Sequence, residues 1–372
     1  MRNFLLFTLE YPPFKGGIAN YYDNLVRYWP ASAKATAGEP KLGEIKVLNN
    51  NDGRLINNKL PLLKWLPACF VLHKKIKQEK INHILVGQIL PLGTVALICA
   101  KFCKIKYSVF LHGLDLSSAV LSSRKKWLTG KILQNADKII CANGYTADLT
   151  GQFFTLSANK IVTANPAADL TPPPEPAQIS KLKKQHDLTD KIILLSVGRL
   201  VKRKGFDKVI ECLPEILKKI PNLAYVILGD GEEMENFKFQ IKNLKLENNV
   251  KIISNVSDEE RNAWYGLCDI FIMTSRNIAG DFEGFGIVYL EANLAGKPVI
   301  AGRSGGVGDA VIDGLNGLLV NPEDTSQITS AVIKLALNPG LRQKLGERGK
   351  ERAINDFNWR KQINKIYNFF IL

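Results

Sequence analysis

The chain has 372 residues, 46% of them apolar, which favours two domains over a single core and excludes a globally disordered chain. Its net charge is +15, and residues 1–170 carry most of it: 22 Lys and Arg against 10 Asp and Glu there, 28 against 25 in residues 171–372. So basic a half attracts a polyanion, either nucleic acid or an anionic membrane surface, unless the charge serves only solubility.

The opening MRNFLLFTLEYPP has one Arg, a short apolar run, then Glu10 and prolines where a leader needs a cleavage site. It reads as a first buried strand rather than a signal peptide. FLLFTL (4–9), HILVGQ (83–88), YSVFLHG (107–113) and KIICAN (138–143) read as buried parallel strands, separated by helix-length segments such as 94–102 and 125–134. In KLPLLKWLPACFVLHKKIKQEK (59–80), Pro61 and Pro67 delay the helix until after Pro67. The segment 89–100 is too short to span a membrane and contains Pro91. DLTPPPEPAQI (169–179) packs four prolines into five residues and marks an interdomain linker. Strands then resume at KIILLSVG (191–198), AYVILGDG (224–231), VKIIS (250–254), DIFIMTS (269–275) and KPVIAG (297–302), and an amphipathic helix closes the chain (356–372).

This alternation implies an α/β chain of two Rossmann-like domains, 1–170 and 171–355, with the closing helix 356–372 packed back on the first. Ligands of such sheets gather beyond the carboxyl ends of the strands, so a cleft between the domains is the expected site. The six cysteines form no CxxC pair and no metal spacing with the four histidines; they read as reduced thiols.

Four segments after strands carry candidate chemistry. Gly16 and Gly17 in YPPFKGGIANYYDNL clear two side chains before a helix, which admits a phosphate or simply makes a β–α turn. His112 and Asp115 close YSVFLHG; such a histidine donates to a sugar hydroxyl or a phosphate, or is a satisfied structural residue. In SVGRLVKRKG, Gly198 ends a strand and Arg199 and Lys204 follow, a planar fork and a point charge suited to a diphosphate. In EGFGIVYLEANLAG, Glu283 and Glu291 flank a turn made by Gly284 and Gly286 and a helix starting near Ile287. That helix start favours phosphate oxygens, and Glu291 suits two ribose hydroxyls.

This last segment resembles the E-x7-E element of glycosyltransferase family four, whose fold joins two Rossmann-like domains across a cleft. The Gly16–Gly17 loop, SVGRLVKRKG, LGDGEE (228–233) and AGRSGGVGDAVIDGLNGLLV (301–320) extend the resemblance in order from about residue 9 to 359, and EGFGIVYLEA with AGRSGG is similar to the phosphatidylinositol mannosyltransferase branch. The resemblance implies a retaining hexosyltransferase using a GDP- or UDP-hexose, with no metal or other cofactor. Gly16 and Gly17 would meet the donor diphosphate or the acceptor, and His112 the hexose. Arg199 and Lys204 would hold the diphosphate, Gly198 beside them, and Glu291 the ribose. Glu283 with the backbone of Phe285, Gly286 and Ile287 would orient sugar and phosphates, and the backbone near Val256 would meet the base. Two departures touch acceptor or sugar contacts: ANPAAD (164–169) keeps only Asn165 and Asp169 of an N-G-V-D pattern, and Gly308 and Asp309 stand where Pro and Glu are common. The implied acceptor is lipid-linked or a polysaccharide, met at the cytoplasmic face of the cell membrane, where KLPLLKWLPACFVLHKKIKQEK and SSRKKWLTGK (122–131) would dock on anionic lipid.

Three other readings compete: a nucleotide-sugar epimerase or phosphorylase of the same fold, a non-enzymatic polyanion-binding protein, and a degenerate transferase. A phosphorylase lacks its pyridoxal-phosphate lysine context here, and a nucleic-acid binder lacks any recognisable module.

Overall fold

In the computed structural model, which describes residues 2–14, 16–30, 42–59 and 63–371, the chain divides into two compact units. Met1–Pro166 and Trp359–Leu372 form the first, Ala167–Asn358 the second.

The first unit runs β1 (Arg2–Phe7), α1 (Gly17–Arg27), β2 (Leu42–Leu48), α2 (Leu66–Gln78), β3 (His83–Val86) and α3 (Leu92–Cys103). It continues with β4 (Lys106–Leu111), α4 (Leu114–Val120), α5 (Ser123–Asn135), β5 (Ile139–Cys141), α6 (Gly144–Phe153) and β6 (Ile161–Thr163). The strands pair in parallel in the order β2-β1-β3-β4-β5-β6. Phe4, Leu5, Leu6 and Phe7 are all fully buried, as a strand covered on both faces requires. Because β1 sends the chain to one side and β3 lies on the other, the crossover direction reverses between them, the place where open α/β sheets bind ligands.

The second unit runs α7 (Pro176–Gln185), β7 (Ile192–Val197), α8 (Phe206–Lys219), β8 (Leu223–Leu228), α9 (Met234–Asn243), β9 (Val250–Ile253) and α10 (Asp258–Leu267). Then come β10 (Ile270–Met273), α11 (Ile287–Leu294), β11 (Val299–Gly302), α12 (Val307–Ala310), β12 (Gly317–Val320), α13 (Thr325–Ala336) and α14 (Pro339–Asp356). Its parallel sheet has the order β12-β11-β10-β7-β8-β9, with the reversal between β7 and β10. Alternate residues feed two cores: Leu195, Val197, Phe271 and Met273 enter one, Leu194, Ile270 and Ile272 the other.

The last helix, α15 (Trp359–Ile371), belongs to the first unit. Phe370 packs on Phe4 with ring centroids 5.2 Å apart, and Arg2 Nη1 donates to the Phe370 carbonyl at 2.7 Å. Asp356 ends α14, so the closing helix starts later than the sequence limit of 356. The first division falls after Pro166 rather than Leu170, because Asn165 stays with the first sheet: its N–H donates to Gln362 Oε1 at 3.0 Å. The prolines beyond it lie with the second unit, where Asn262 Nδ2 donates to the Pro172 carbonyl at 2.7 Å. Helix α2 begins at Leu66 with Pro67 in its first turn, where a missing N–H costs nothing; Pro61 lies outside the described residues. All six cysteines are free thiols, and no described helix is long and apolar enough to cross a membrane.

Candidate functional site

In the second unit the candidate residues lie beyond the carboxyl ends of the strands. Gly198 and Arg199 after β7, Gly229 after β8, and Val256 after β9 line a cavity of about 240 Å³ together with Arg261 of α10. Gly229 has φ +155°, and a Cβ there would stand 2.0 Å from the Gly198 carbonyl oxygen, so only glycine lets the two loops meet.

A second cluster forms where β7 and β10 adjoin. Gly205 caps α8 with φ +76°, and a Cβ would fall 2.1 Å from the Thr274 carbonyl oxygen, so this loop lies against the end of β10. Lys204 Nζ thereby reaches Glu283 Oε2 at 2.5 Å, Arg203 Nη1 reaches the same oxygen at 3.2 Å, and Ser275 Oγ donates to it at 3.2 Å. Arg203 Nε also faces Asp281 Oδ1 at 3.1 Å. Burial pushes the Glu283 carboxyl up, but Lys204 and Arg203, with hydrogen bonds from Lys204 and Ser275, outweigh it and hold it below the usual range. The structure gives the two cations different partners, although the Lys204 side chain runs past Gly198, the neighbour of Arg199. Lys204 is committed to Glu283, whereas Arg199 is exposed on the cavity and has no ion-pair partner among the described residues. Arg203, unremarked inside SVGRLVKRKG, joins the cluster.

Glu291 is held in the same manner. The Tyr265 hydroxyl donates to Glu291 Oε2 at 2.6 Å, and Arg261 Nη2 stands 4.0 Å from Oε1. Arg261 also lines the Val256 cavity, so Glu291 and that cavity form one region. Gly286, with φ +83°, precedes α11, and no side chain caps this helix start, where Phe285 and Ile287 lie. Nothing local marks Tyr265 in the sequence. We expect Tyr265→Phe and Glu291→Gln each to weaken binding of free nucleoside diphosphate. Glu291→Gln loses a charge-assisted bond worth about 1.5–3 kcal/mol, Tyr265→Phe about half that. Calorimetry with GDP and UDP checks this; unchanged affinity in both would remove Glu291 from the nucleotide.

In the first unit, Gly16 precedes α1, and a Cβ on Gly17 would meet no atom within 4 Å. No neighbour therefore demands glycine at 17. A Cβ on Gly16 would stand 3.7 Å from Glu10 Oε2. Burial, with Asp115 nearby, raises the Glu10 carboxyl above its ordinary value. Asp115 Oδ1 accepts the N–H groups of His112, Gly113 and Leu116 at 3.1, 3.0 and 2.9 Å, yet burial prevails and lifts its carboxyl to about 6. Two acids beside this loop suit hydroxyls better than a diphosphate. His112 Nε2 lies 2.8 Å from the Tyr22 hydroxyl, and burial lowers the imidazole to about 4. It is therefore neutral near pH 7. Among the described residues, no group of three or more His, Cys, Asp or Glu is placed to hold a metal ion.

Two family models match in succession: Glycosyltransferase Family 4 over residues 15–171 and Glycosyl transferases group 1 over residues 178–352. A GDP-mannose-dependent alpha-(1-6)-phosphatidylinositol monomannoside mannosyltransferase of Mycolicibacterium smegmatis is 28% identical, over 96% of this chain and 95% of that protein. A Mycobacterium tuberculosis protein of the same description is 27% identical over 99% and 98%. Among solved structures, a glycosyltransferase from Rickettsia africae superposes with a TM-score of 0.81 at 20% identity, covering 99% of this chain and 98% of that one. Anabaena HepE in complex with UDP superposes with a TM-score of 0.79 at 20% identity, covering 99% of both. These structural matches share the fold of two Rossmann-like domains.

Proposed function

We infer the reaction from one premise: the chain belongs to glycosyltransferase family four and is a glycosyltransferase. It transfers a hexose from a nucleoside diphosphate sugar to a lipid-linked or polysaccharide acceptor in cell-envelope glycan synthesis. Mannose from GDP-mannose is the favoured donor, on the strength of the relatives' descriptions.

The observation that carries this reading is a pair of carboxylates, each with one oxygen anchored. Glu283 Oε2 is bound by Lys204, Arg203 and Ser275, and Glu291 Oε2 by Tyr265, which leaves Glu283 Oε1, and Glu291 Oε1 with only Arg261 Nη2 at 4.0 Å, for a ligand hydroxyl. Glu291 takes the ribose, Glu283 the hexose, and the cavity at Gly198 and Val256 the base. Arg199, Lys204 and the amides of Phe285, Gly286 and Ile287 stabilise the departing diphosphate, the electrostatic role that dominates such catalysis. Glu283, tied down by two cations, is a poor nucleophile, which supports retention by front-face attack assisted by the leaving phosphate. Gly16 and Gly17, beside Glu10, serve the hydroxyl-rich acceptor. The basic first unit meets anionic lipid at the inner face of the cell membrane, and nucleic acid is not a partner.

Incubation with GDP- and UDP-hexoses, without acceptor and in excess EDTA, tests the donor chemistry. Slow hydrolysis of one donor is expected and should persist in the chelator. A strict divalent requirement would overturn the metal-free mechanism. No hydrolysis of any donor, with no thermal shift by GDP or UDP, would overturn the reading itself.

A further inference from the structure

The Tyr22 hydroxyl lies between two partners. It is 2.5 Å from the Gly87 carbonyl oxygen and 2.8 Å from His112 Nε2. It has one proton to give, and a carbonyl oxygen has none. Two oxygens at that separation require a proton between them, so the hydroxyl donates to Gly87 and turns a lone pair toward the imidazole. Nε2 must then carry the hydrogen that fills this lone pair. Tyr22 is fully buried, and its hydroxyl is held far above its ordinary range by burial and by Asp115, Tyr21 and Glu10, so it stays protonated. The Tyr21 and Tyr22 rings both meet the imidazole edge-on at 5.4 Å and prevent it from turning over.

We propose that Tyr22 fixes His112 as the Nε2–H tautomer, so that Nδ1 stands as a bare acceptor for a hydroxyl of the sugar substrate. No described residue bonds Nδ1. This rests on the reading of the chain as a sugar transferase, and it reverses the sequence expectation that His112 donates. An acceptor nitrogen on a residue whose own backbone N–H is held by the Asp115 carboxylate selects ligand groups that give hydrogens. It rejects phosphate oxygens, which only accept at neutral pH. Tyr22 is thus a positioning residue acting through His112.

Histidine-¹⁵N labelling tests this, because the chain has only four histidines and His112→Ala assigns the signal. At pH 7 the wild-type protein should show a long-range ¹H–¹⁵N pattern with Nε2 protonated and Nδ1 unprotonated. A protonated Nδ1 there, alone or in an imidazolium, would overturn the proposal without need of any variant. In Tyr22→Phe an Nδ1–H population should appear, with a roughly two- to tenfold fall in kcat/KM, the range of one lost hydrogen bond. An unchanged tautomer pattern in that variant would overturn the role of Tyr22. Failure of the wider reading looks different: the wild-type protein would neither hydrolyse nor transfer from any donor although its tautomer was as stated, whereas wild-type transfer by His112→Ala would overturn only the assignment of the hydroxyl to sugar.

Discussion

Lys204→Ala and Arg199→Ala should each slow transfer by on the order of 10²–10³ at saturating donor, the usual cost of removing one preorganised donor to developing negative charge. The two variants should differ in stability. Arg199 is exposed and has no ion-pair partner among the described residues, so its loss leaves the fold intact. Lys204 is one of two cations on the buried Glu283 carboxylate, and its removal leaves that charge to Arg203 and Ser275. Leaving a buried charge wholly unpaired costs about 3–5 kcal/mol, and the cost here falls below that range because Arg203 remains on Glu283. Thermal unfolding beside the rate measurements separates the effects: Lys204→Ala should lower Tm and Arg199→Ala should not. Near-wild-type turnover in both variants would refute the diphosphate role. A stable but inactive Lys204→Ala would mean that Arg203 alone satisfies Glu283.

Strands buried on both faces announce themselves as unbroken apolar runs, and FLLF, IILLSV and IFIM all lie within strands of the structure. The edge strands β2 and β12 do not. In β2, LGEIKVL, Glu44 and Lys46 face solvent, and no continuous run forms; β12, GLLV, is short and half-exposed in its middle. The Glu283–Glu291 spacing was legible because glycine, helix start and acid fall within one short segment. Their anchors were not. Tyr265 is 26 positions from Glu291 and Arg203 is 80 from Glu283, and only the sheet brings them together. The same holds for Tyr22, 90 positions from His112. The strand end places a histidine in view, but its proposed tautomer depends on a tyrosine of helix α1.

The first unit should bind anionic but not neutral liposomes, in a salt-sensitive manner. Helix α2 buries Ala68, Leu72 and Ile76 on one side. Phe70, 71% exposed, shares the other side with exposed Lys74 and Lys77, at helical spacings of four and seven. Lys75 differs: it is bonded to Glu79 at 2.5 Å and contributes less free charge than the sequence cluster implied. Helix α5 repeats the pattern, with Trp127 65% exposed and Arg124 and Lys131 exposed on its stripe. Helix α3 packs against both α2 and α5 and adds Phe102, 81% exposed. A basic surface gains roughly 1 kcal/mol per Lys or Arg near anionic lipid, and exposed aromatic rings suit the interface. Charge reversal at Lys74 and Lys77 replaces attraction by repulsion at two positions, so vesicle affinity should fall by at least tenfold, while hydrolysis of soluble donor continues, because neither lysine is among the donor residues. Co-sedimentation with phosphatidylserine-containing and phosphatidylcholine vesicles at low and high salt measures both effects. Equal binding to neutral vesicles would reduce the basic half to a solubilising surface, and binding to neither would in addition point to an acceptor taken from solution.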